Sequence, residues 1–281
     1  MTTSPLSCAR SLLFVPGNRP ERFAKALASG ADAVVLDLED AVPVAAKAQA
    51  REAIAQAWSG LQHAGVPLVV RINAGDAASP DVEWLSQLAP PPAGVMVPKA
   101  ERRATLDEIS RQLPQVPLIP LIESAAGLAA LDEIATSPRM LRLAVGHIDF
   151  MADTGITCSD DERELDPLRF AVAMATRRFA LAPAIDGVTV AFDDEARLHA
   201  DTQRALRFGF GGKLCIHPRQ VRGVHDALRP GAAELAWAER VIAADAASGG
   251  AAVQLEGRMV DLPLVLQARR TLARARQEPS A

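Results

Sequence analysis

Short apolar segments rich in Val, Ile and Leu alternate along this chain with longer segments rich in Ala, Arg and Glu at helical spacing. The apolar segments are bounded by Gly or Pro and lack a polar face, which is typical of strands buried on both faces of a parallel sheet. They occupy residues 11–17, 33–39, 68–73, 94–99, 118–123, 141–150, 183–190 and 213–218. The alternation therefore predicts repeated β-α units.

Eight β-α units within about 225 residues predict a closed (β/α)8 TIM barrel, an α/β fold. Six or seven true strands would instead form a doubly wound sheet, and the pattern leaves this alternative open. After residue 228 the pattern changes to a helix over 232–246, a Gly-rich link, an extended segment and an Arg-rich helix that reaches residue 276. We predict a barrel domain over 1–228 and a C-terminal α/β appendage over 229–281.

The charge composition limits the kinds of molecule that we expect this protein to bind. The formal net charge is -4, and Lys and Arg form no block longer than a pair, which argues against nucleic acid or an anionic membrane as the main partner. The three cysteines lack C-x-x-C spacing, the first residues lack an apolar signal segment, and no apolar run is long enough to span a membrane. We expect a cytoplasmic protein that binds small molecules.

Polar residues at the carboxyl ends of the predicted strands are the candidate site residues, because the loops after the strands build the active site of a TIM barrel. These residues are Asp37, Glu39, Asp40, Arg71, Asn73, Lys99, Glu123, His147, Asp149, Asp186 and His217. The acids among them would repel one another in a poorly solvated site, so their convergence favours a bound cation. Oxygen ligands favour Mg²⁺, which retains water in its coordination shell. Because Glu123 and Asp149 lie on neighbouring predicted strands, we predict that they bind the metal.

A structural interpretation is also open for each acid and for the arginine. Asp37, Glu39 and Asp40 can cap the next helix or pair with Arg51 and Arg71 without any part in catalysis. Arg71 can belong to a structural ion pair.

The same holds for the other candidates. Glu123 and Asp149 can each stabilise the first turn of a helix. Lys99 can form a Schiff base, although pairing with the acids is the simpler prediction. His217 is predicted to be a buried histidine in the turn after the last strand. Asp261, in the extended segment of the appendage, can be a surface charge.

Eight segments carry a resemblance to a known family, in order and at matching spacing, over residues 10–273. They are RSLLFVPGNRPERF, ADAVVLDLEDAVP, VRIN, GVMVPKAE, LIPLIESAAGL, GHIDFMAD, GKLCIHPRQV and EGRMVDLP. Together they resemble the citrate lyase β-subunit-like proteins of the HpcH/HpaI aldolase superfamily, relatives of malyl-CoA and citramalyl-CoA lyases. The resemblance implies a TIM barrel that assembles as a homotrimer or hexamer, binds Mg²⁺ and cleaves or forms a carbon-carbon bond next to a CoA thioester.

The resemblance also implies roles for matching residues. Glu123 in IES and Asp149 in HID match the metal-binding acids, and Glu123 also belongs to the substrate site. Arg71 in VRIN matches the substrate-binding, catalytic arginine. Asp261 in GRMVDLP matches a catalytic acid that the appendage of a neighbouring subunit contributes as it closes over the site.

Supporting residues follow from the same match. Asp37, Glu39 and Asp40 match acids that hold metal-bound water or the arginine. Arg19 and Lys25 resemble positions that meet CoA phosphates. The dipeptide Gly146-His147 departs from the Gly-Ala or Gly-Thr of relatives, so we expect His147 to narrow the acceptor pocket or to contact a substrate carboxylate.

The implied function is a Mg²⁺-dependent carbon-carbon lyase of the retro-Claisen and Claisen type. Its substrate would be a 3-hydroxyacyl-CoA diacid thioester such as malyl-CoA or citramalyl-CoA, with a small 2-oxo acid as the second product. Three alternatives remain: a malyl-CoA thioesterase, a citrate lyase β subunit that acts on an acylated carrier protein, and a non-catalytic scaffold.

Overall fold

The computed structural model describes residues 4–276 of the chain. The chain divides into two compact units, with the boundary between Val224 and His225. The candidate residues from Arg19 to His217 lie in the first unit, and Asp261 lies in the second.

Eight parallel strands form a closed barrel in the first unit, in sequence order, and the last strand pairs with the first. The strands are β1 Ser11–Pro16, β2 Ala33–Asp37, β3 Leu68–Arg71, β4 Gly94–Val97, β5 Leu118–Ile122, β6 Ala144–Val145, β7 Ile185–Asp186 and β8 Gly212–Cys215. The prediction of an α/β TIM barrel is thus confirmed, and the doubly wound alternative is wrong.

Two strands are much shorter than the sequence predicts. The predicted strand over 141–150 is reduced to Ala144 and Val145, and a helix begins at His147. This helix places Asp149 in its first turn, where a carboxylate is favoured by the helix dipole, and it buries Phe150. The predicted strand over 183–190 is likewise reduced to Ile185–Asp186.

The barrel interior is filled by aliphatic side chains and one methionine, as the aromatic content of 4% requires. Its buried members are Leu6, Ala9, Leu12, Ala33, Val35, Val69, Met96, Ile119, Leu121, Ala144, Ile185 and Leu214. Burial of these apolar surfaces is the main stabilising contribution to the barrel. The polar carboxyl ends of the strands therefore rest on a rigid, close-packed base.

Helices surround the barrel strands. They are α1 Pro5–Cys8, α2 Phe23–Leu27, α3 Lys47–Gln62, α4 Ser79–Ser86, α5 Arg103–Gln112, α6 Ala125–Ala129, α7 Leu131–Ala135, α8 His147–Thr154, α9 Asp166–Arg178, α10 Glu195–Arg207 and α11 Arg219–Leu228. Short 3₁₀ helices occur at Pro20–Arg22, Val44–Ala46, Gly75–Ala78 and Arg163–Leu165. Helix α3 illustrates the packing, because Ala50, Ile54, Trp58 and Leu61 form one buried stripe at helical spacing.

The second unit has a small core of its own. Helix α12, Ala232–Ala247, is followed by an antiparallel hairpin of β9, Val253–Leu255, and β10, Arg258–Val260, and by helix α13, Leu262–Ala275. Glu256 and Gly257 connect the hairpin with positive φ angles of 50° and 78°, the requirement of a two-residue type I′ turn. Its buried core residues are Ala238, Val241, Val260, Val265 and Ala268.

Among the helices within residues 4–276, none combines the length and the apolar character that a membrane span requires.

Candidate active site

The barrel mouth, by which we mean the carboxyl ends of the strands and the residues that follow them, collects the predicted polar side chains. Asp37 and Arg71 are the last residues of β2 and β3 and are register partners, so their side chains emerge next to each other. Lys99 lies two residues beyond β4, and Glu123 follows β5 directly. Asp149 is brought to this end by the first turn of α8.

Arg71 is held by two carboxylates. Its Nε and Nη2 donate to the two oxygens of Asp37 at 2.6 and 2.7 Å, and its Nη1 lies 2.9 Å from Oε2 of Glu39. The guanidinium also stacks over Phe14, 4.7 Å from the ring centroid. Burial opposes the charge, but the hydrogen bonds and charges of Asp37 and Glu39 raise the pKa of Arg71, so it remains a cation.

The three acids after β2 therefore differ in role. Asp37 is fully buried and accepts the fork of Arg71, while its oxygens also accept the backbone N–H groups of Glu39 and Ala41. Burial raises the pKa of Glu39, although Arg71 and Lys99 oppose this. Asp40 is exposed. Asp37 and Glu39 pair with Arg71, as one structural interpretation predicts, whereas Arg51 pairs with Asp81.

Lys99 connects this group to Glu123. Its Nζ lies 2.9 Å from Oε1 of Glu39, and its backbone N–H donates to Oε1 of Glu123 at 2.6 Å. The residue adopts a positive φ of 45°, a conformation that a lysine rarely takes and that turns both groups toward the acids. Burial lowers and the Glu39 contact raises the pKa of Lys99, with a net rise, which favours the ion pair over a Schiff-base nucleophile. We call Asp37, Glu39, Arg71, Lys99 and Glu123 the mouth cluster.

Glu123 is buried with one carboxylate oxygen bound to Lys99 and the other directed at Gly146. A methyl group at Gly146 would overlap Oε2 of Glu123, so only glycine admits this carboxylate. Burial, together with the negative charges of Glu39 and Asp149, raises the pKa of Glu123 to about 8 despite the Lys99 hydrogen bond. Glu123 thus lies among negative charges with too little positive charge to compensate them, and such an environment favours a bound cation.

The donor set fits Mg²⁺. A metal at Glu123 and Asp149 would have two protein carboxylates and would complete its coordination with water or substrate, which is how Mg²⁺ is commonly bound.

His147 is enclosed by protein. It is only 2% exposed, its Nε2 lies 4.0 Å from Oε1 of Glu162, and its ring fits against Gly187. Burial lowers the pKa of His147, although Asp186 and Glu162 oppose this. The enclosed ring argues against the predicted contact of His147 with a substrate carboxylate, and the predicted narrowing of the acceptor pocket stays a prediction.

A second charge network surrounds His147. Glu162 accepts hydrogen bonds from Arg169, Arg197 and Arg204 at 2.7 to 3.0 Å. Buried Asp186 pairs with Arg169 at 3.1 Å and lies 3.8 Å from Lys213, its register partner. This network stabilises the segment after α8. The sequence identified Asp186, but it gave no sign of the three arginines that converge on Glu162.

The remaining predicted residues lie at the surface. Arg19 is exposed and pairs with Glu21 at 2.5 Å, and Lys25 is exposed on α2. His217 is half-buried rather than buried, since it stacks on the exposed Phe192 and accepts the Arg219 N–H at 3.2 Å. It does stabilise the turn after β8.

Lys47 and Asp81 support the mouth cluster and were missed by the sequence analysis. Lys47 donates to the backbone oxygens of Leu38 and Glu39 and to the side chain of Asn73. Asp81 is fully buried and accepts from both nitrogens of Asn73 at 2.8 and 2.7 Å. Both lie in the first turns of the helices after β2 and β3, and charge at such positions is the signal that could have identified them.

A match to a family model over most of the barrel shows the family of this chain. A family model described as HpcH/HpaI aldolase/citrate lyase matches residues 10–218. The chain belongs to the HpcH/HpaI aldolase/citrate lyase family.

Relatives in this family match nearly the whole chain. A citrate lyase subunit beta-like protein from Deinococcus radiodurans is 36% identical over 280 residues, which cover 96% of this chain and 98% of the relative. A (3S)-malyl-CoA thioesterase from Cereibacter sphaeroides is 32% identical over 274 residues, which cover 95% of this chain and 94% of the relative.

A solved structure agrees in fold. The Mycobacterium tuberculosis protein CitE, crystallised with magnesium, acetoacetate and coenzyme A, superposes with a TM-score of 0.83 at 35% identity. The match covers 96% of this chain and 99% of CitE. The family resemblance and the enzyme class predicted from the sequence, a CoA-ester lyase of the citrate lyase β type, are thereby confirmed.

Proposed function

We propose that this HpcH/HpaI family member is a Mg²⁺-dependent lyase that cleaves or forms the carbon-carbon bond of a 3-hydroxyacyl-CoA thioester of the malyl-CoA or citramalyl-CoA type. The observation that carries the proposal is the position of Glu123, a buried carboxylate beside Asp149, within a cluster that also fixes Arg71. The CitE relative bound to magnesium, acetoacetate and coenzyme A supports the same ligand classes.

Glu123 and Asp149 would hold the metal. Bound there, Mg²⁺ would supply Lewis acidity and a template for the carboxylate and hydroxyl or carbonyl oxygens of the acid. The citrate lyase beta subunit of Mycobacterium tuberculosis, solved with oxaloacetate and magnesium, supports the choice of metal and of an oxo acid as its ligand. Glu123 must lose its proton to act as a ligand, and Gly146 leaves the room that its carboxylate needs.

Arg71 would stabilise the thioester oxygen as it gains negative charge. Asp37 and Glu39 fix the guanidinium before the substrate arrives, so little reorganisation is needed during the reaction. The rigid fork of Arg71 also has more N–H donors than these two acids use. Arg71 therefore combines an anchored position with spare hydrogen-bonding capacity.

Further residues complete the proposal. In the condensing direction a base must remove a proton from the methyl group of the acyl-CoA, and we assign this step to Asp261 of a neighbouring subunit. Assembly as a homotrimer or hexamer would bring that residue to the site. Exposed Arg19 and Lys25 would meet the phosphates of CoA.

The test is a panel of CoA thioesters, including malyl-CoA and citramalyl-CoA, incubated with the protein and Mg²⁺. We expect a 2-oxo acid and a shorter acyl-CoA in equal amounts, and we expect EDTA to abolish the reaction. Activity that survives EDTA would contradict the proposal. Detection of the oxo acid and of free thiol in the same samples separates the possible reactions.

A second candidate is hydrolysis of malyl-CoA, which the relatives named (3S)-malyl-CoA thioesterase favour. The same site would catalyse this hydrolysis, provided that water reaches the acyl group. Release of free CoA and malate without any 2-oxo acid would identify this reaction.

A further inference from the structure

Helix α9 leaves an apolar stripe exposed on its outer face. Phe170 and Met174 lie one turn apart on this helix, and they are 57% and 42% exposed. The opposite face of the helix is buried through Leu168, Val172 and Ala175. A single exposed apolar residue is common on a protein surface, but two large ones side by side on one helix face favour a protein contact.

The two ends of this stripe have opposite charge. Glu164 lies in the short helix directly before α9, and Asp166 is the first residue of α9. Arg163 lies beside them, but its charge is paired with a neighbouring aspartate at 2.6 Å. Arg177 and Arg178 are the last two residues of α9, and both are exposed. The stripe is therefore acidic at one end, apolar in the middle and basic at the other end.

A charge at each end of the stripe is available to a second molecule. Within residues 4–276 the side chain of Arg177 has no hydrogen-bond or ion-pair partner, whereas Arg178 pairs with Asp132. Glu164 is exposed and accepts hydrogen bonds from the backbone and the hydroxyl of Ser159. It has no cationic partner among the described side chains.

This stripe is complementary to itself under a two-fold axis. Phe170 and Met174 lie at equal spacing on either side of Val172, the midpoint of α9, and so do Asp166 and Arg178. An axis over the midpoint would lay α9 antiparallel on α9 of a second copy. Phe170 of one copy would then meet Met174 of the other, and each acidic end would meet a basic end. Antiparallel helix dipoles also attract, whereas a parallel arrangement would bring like charges together.

We propose that α9 forms a two-fold interface between two copies of this chain, with Phe170 and Met174 at its centre. The inference goes beyond the proposed function, because no step of the reaction depends on this contact. The predicted assembly is a homotrimer or a hexamer, and a two-fold contact on α9 would pair two trimers into a hexamer. Three copies of the contact would then act together, so each can be smaller than the interface of an isolated dimer.

Light scattering on the full chain at micromolar concentration tests the inference. We expect an even number of chains in the wild type. Phe170→Glu should halve the molar mass, because it places a carboxylate in the apolar centre of the contact. It should raise the dissociation constant of the contact at least about 30-fold, the scale of one residue that dominates an interface.

Ala55→Glu is the matched control, because it adds the same charge at an exposed position of α3. It should keep the wild-type mass, and circular dichroism should show that each variant is folded.

An exchange of charges tests the antiparallel arrangement. Arg177→Glu should weaken the contact, because it sets a negative charge against the acidic end of the second copy. Combined with Glu164→Arg, the same substitution should restore the wild-type mass, since opposite charges face each other again. Failure of the double variant to recover would overturn the antiparallel arrangement.

The measured mass can contradict the two-fold contact in three ways. A wild type of one chain or of three chains would overturn the inference, and so would a wild-type mass in Phe170→Glu. A fall of the mass to one third in Phe170→Glu would assign α9 to a ring contact between three chains, which also overturns it. Loss of a two-fold contact gives a fall to one half whatever other contacts the assembly has.

Discussion

Arg71 has a structural role in the mouth cluster and, in our proposal, a catalytic role as well. Asp37 and Glu39 fix its guanidinium, and Phe14 lies against its face. The arginine is therefore structural and, in our proposal, catalytic for the same reason, since a cation that stabilises a developing oxyanion works best when its position is set in advance. The two interpretations that the sequence leaves open do not exclude each other.

Two substitutions of Arg71 separate its two roles. Arg71→Lys keeps the charge beside Asp37 and Glu39 but loses the planar fork, so we expect kcat/KM for the CoA thioester to fall by about 10² to 10³. Arg71→Ala should also lower the free energy of unfolding by about 3–5 kcal/mol, because buried Asp37 loses its partner. Urea unfolding and steady-state kinetics measure these effects. Unchanged turnover in Arg71→Lys would exclude the oxyanion role.

Glu123 makes stability depend on pH. Its pKa is raised from 4.5 to about 8 in the folded chain, so the folded state keeps a proton that the unfolded state loses. The stabilisation from this group is complete below pH 4.5 and is lost as the pH rises through 8, by up to about 1.4 kcal/mol per pH unit. We expect metal-free protein in EDTA to become easier to unfold with urea from pH 5 to 8.

Glu123→Gln provides the control for that slope. The amide keeps the shape of the carboxyl but does not titrate, so the slope should be smaller by the contribution of Glu123. Mg²⁺ should stabilise the wild type increasingly toward pH 8, because binding requires the carboxylate, and it should stabilise Glu123→Gln little at any pH. Identical pH profiles for the two proteins would show that Glu123 does not titrate in this range.

At the scale of elements, the junction of β6 and α8 decides the shape of the site. The strand ends after Val145, Gly146 makes the turn, and α8 begins at once with His147. The turn places Gly146 against Glu123 of the neighbouring strand, and Gly187 after β7 makes similar room for His147. Each glycine thus admits one side chain from the adjacent β-α unit.

Gly146→Ala tests this junction. The added methyl group would overlap the Glu123 carboxylate, so we expect loss of Mg²⁺ binding and of activity. Gly60→Ala is the matched control, because Gly60 lies in α3 with nothing within 4 Å of the added methyl group. That control should keep activity and should raise the free energy of unfolding by up to about 1 kcal/mol. Mg²⁺ titration followed by calorimetry separates the two, and normal Mg²⁺ affinity in Gly146→Ala would contradict the assignment.

At the scale of the whole molecule, the second unit presents Asp261 at its surface. The residue is exposed and caps α13 by accepting the Leu264 N–H at 3.4 Å. The helix cap and the exposure agree with the structural interpretation of Asp261 as a surface charge. The family resemblance implies instead a role in the active site of a neighbouring subunit. That assembly and role remain predictions.

Subunit mixing tests the role of Asp261. Asp261→Asn should keep the helix cap, because asparagine is an equally good N-cap, but it removes the base. We expect Asp261→Asn and Glu123→Gln to be nearly inactive alone. Joint refolding should recover activity at about one quarter of the sites by random assortment in a symmetric oligomer. Light scattering gives the oligomeric state, and mixtures without any recovered activity would show that each subunit uses its own Asp261.

The sequence alone determined the fold and selected the candidate site residues, because both depend on patterns that local residues carry. Apolar runs punctuated by Gly and Pro predict the barrel strands, and the rule that strand ends build the site selects Arg71, Glu123 and Asp149. Strand boundaries were less predictable. The strand predicted over 141–150 includes His147 to Phe150, but these residues form the first turn of α8, with His147 and Phe150 buried.

Tertiary structure alone decided which charges meet. Asp37 pairs with Arg71 rather than Arg51 because β2 and β3 are in register, and Arg51 pairs instead with Asp81 on α4. His147 is enclosed because α8 begins one residue after Gly146. Ion pairing depends on distances of a few ångströms between segments remote in sequence, and these distances are set only when the barrel closes.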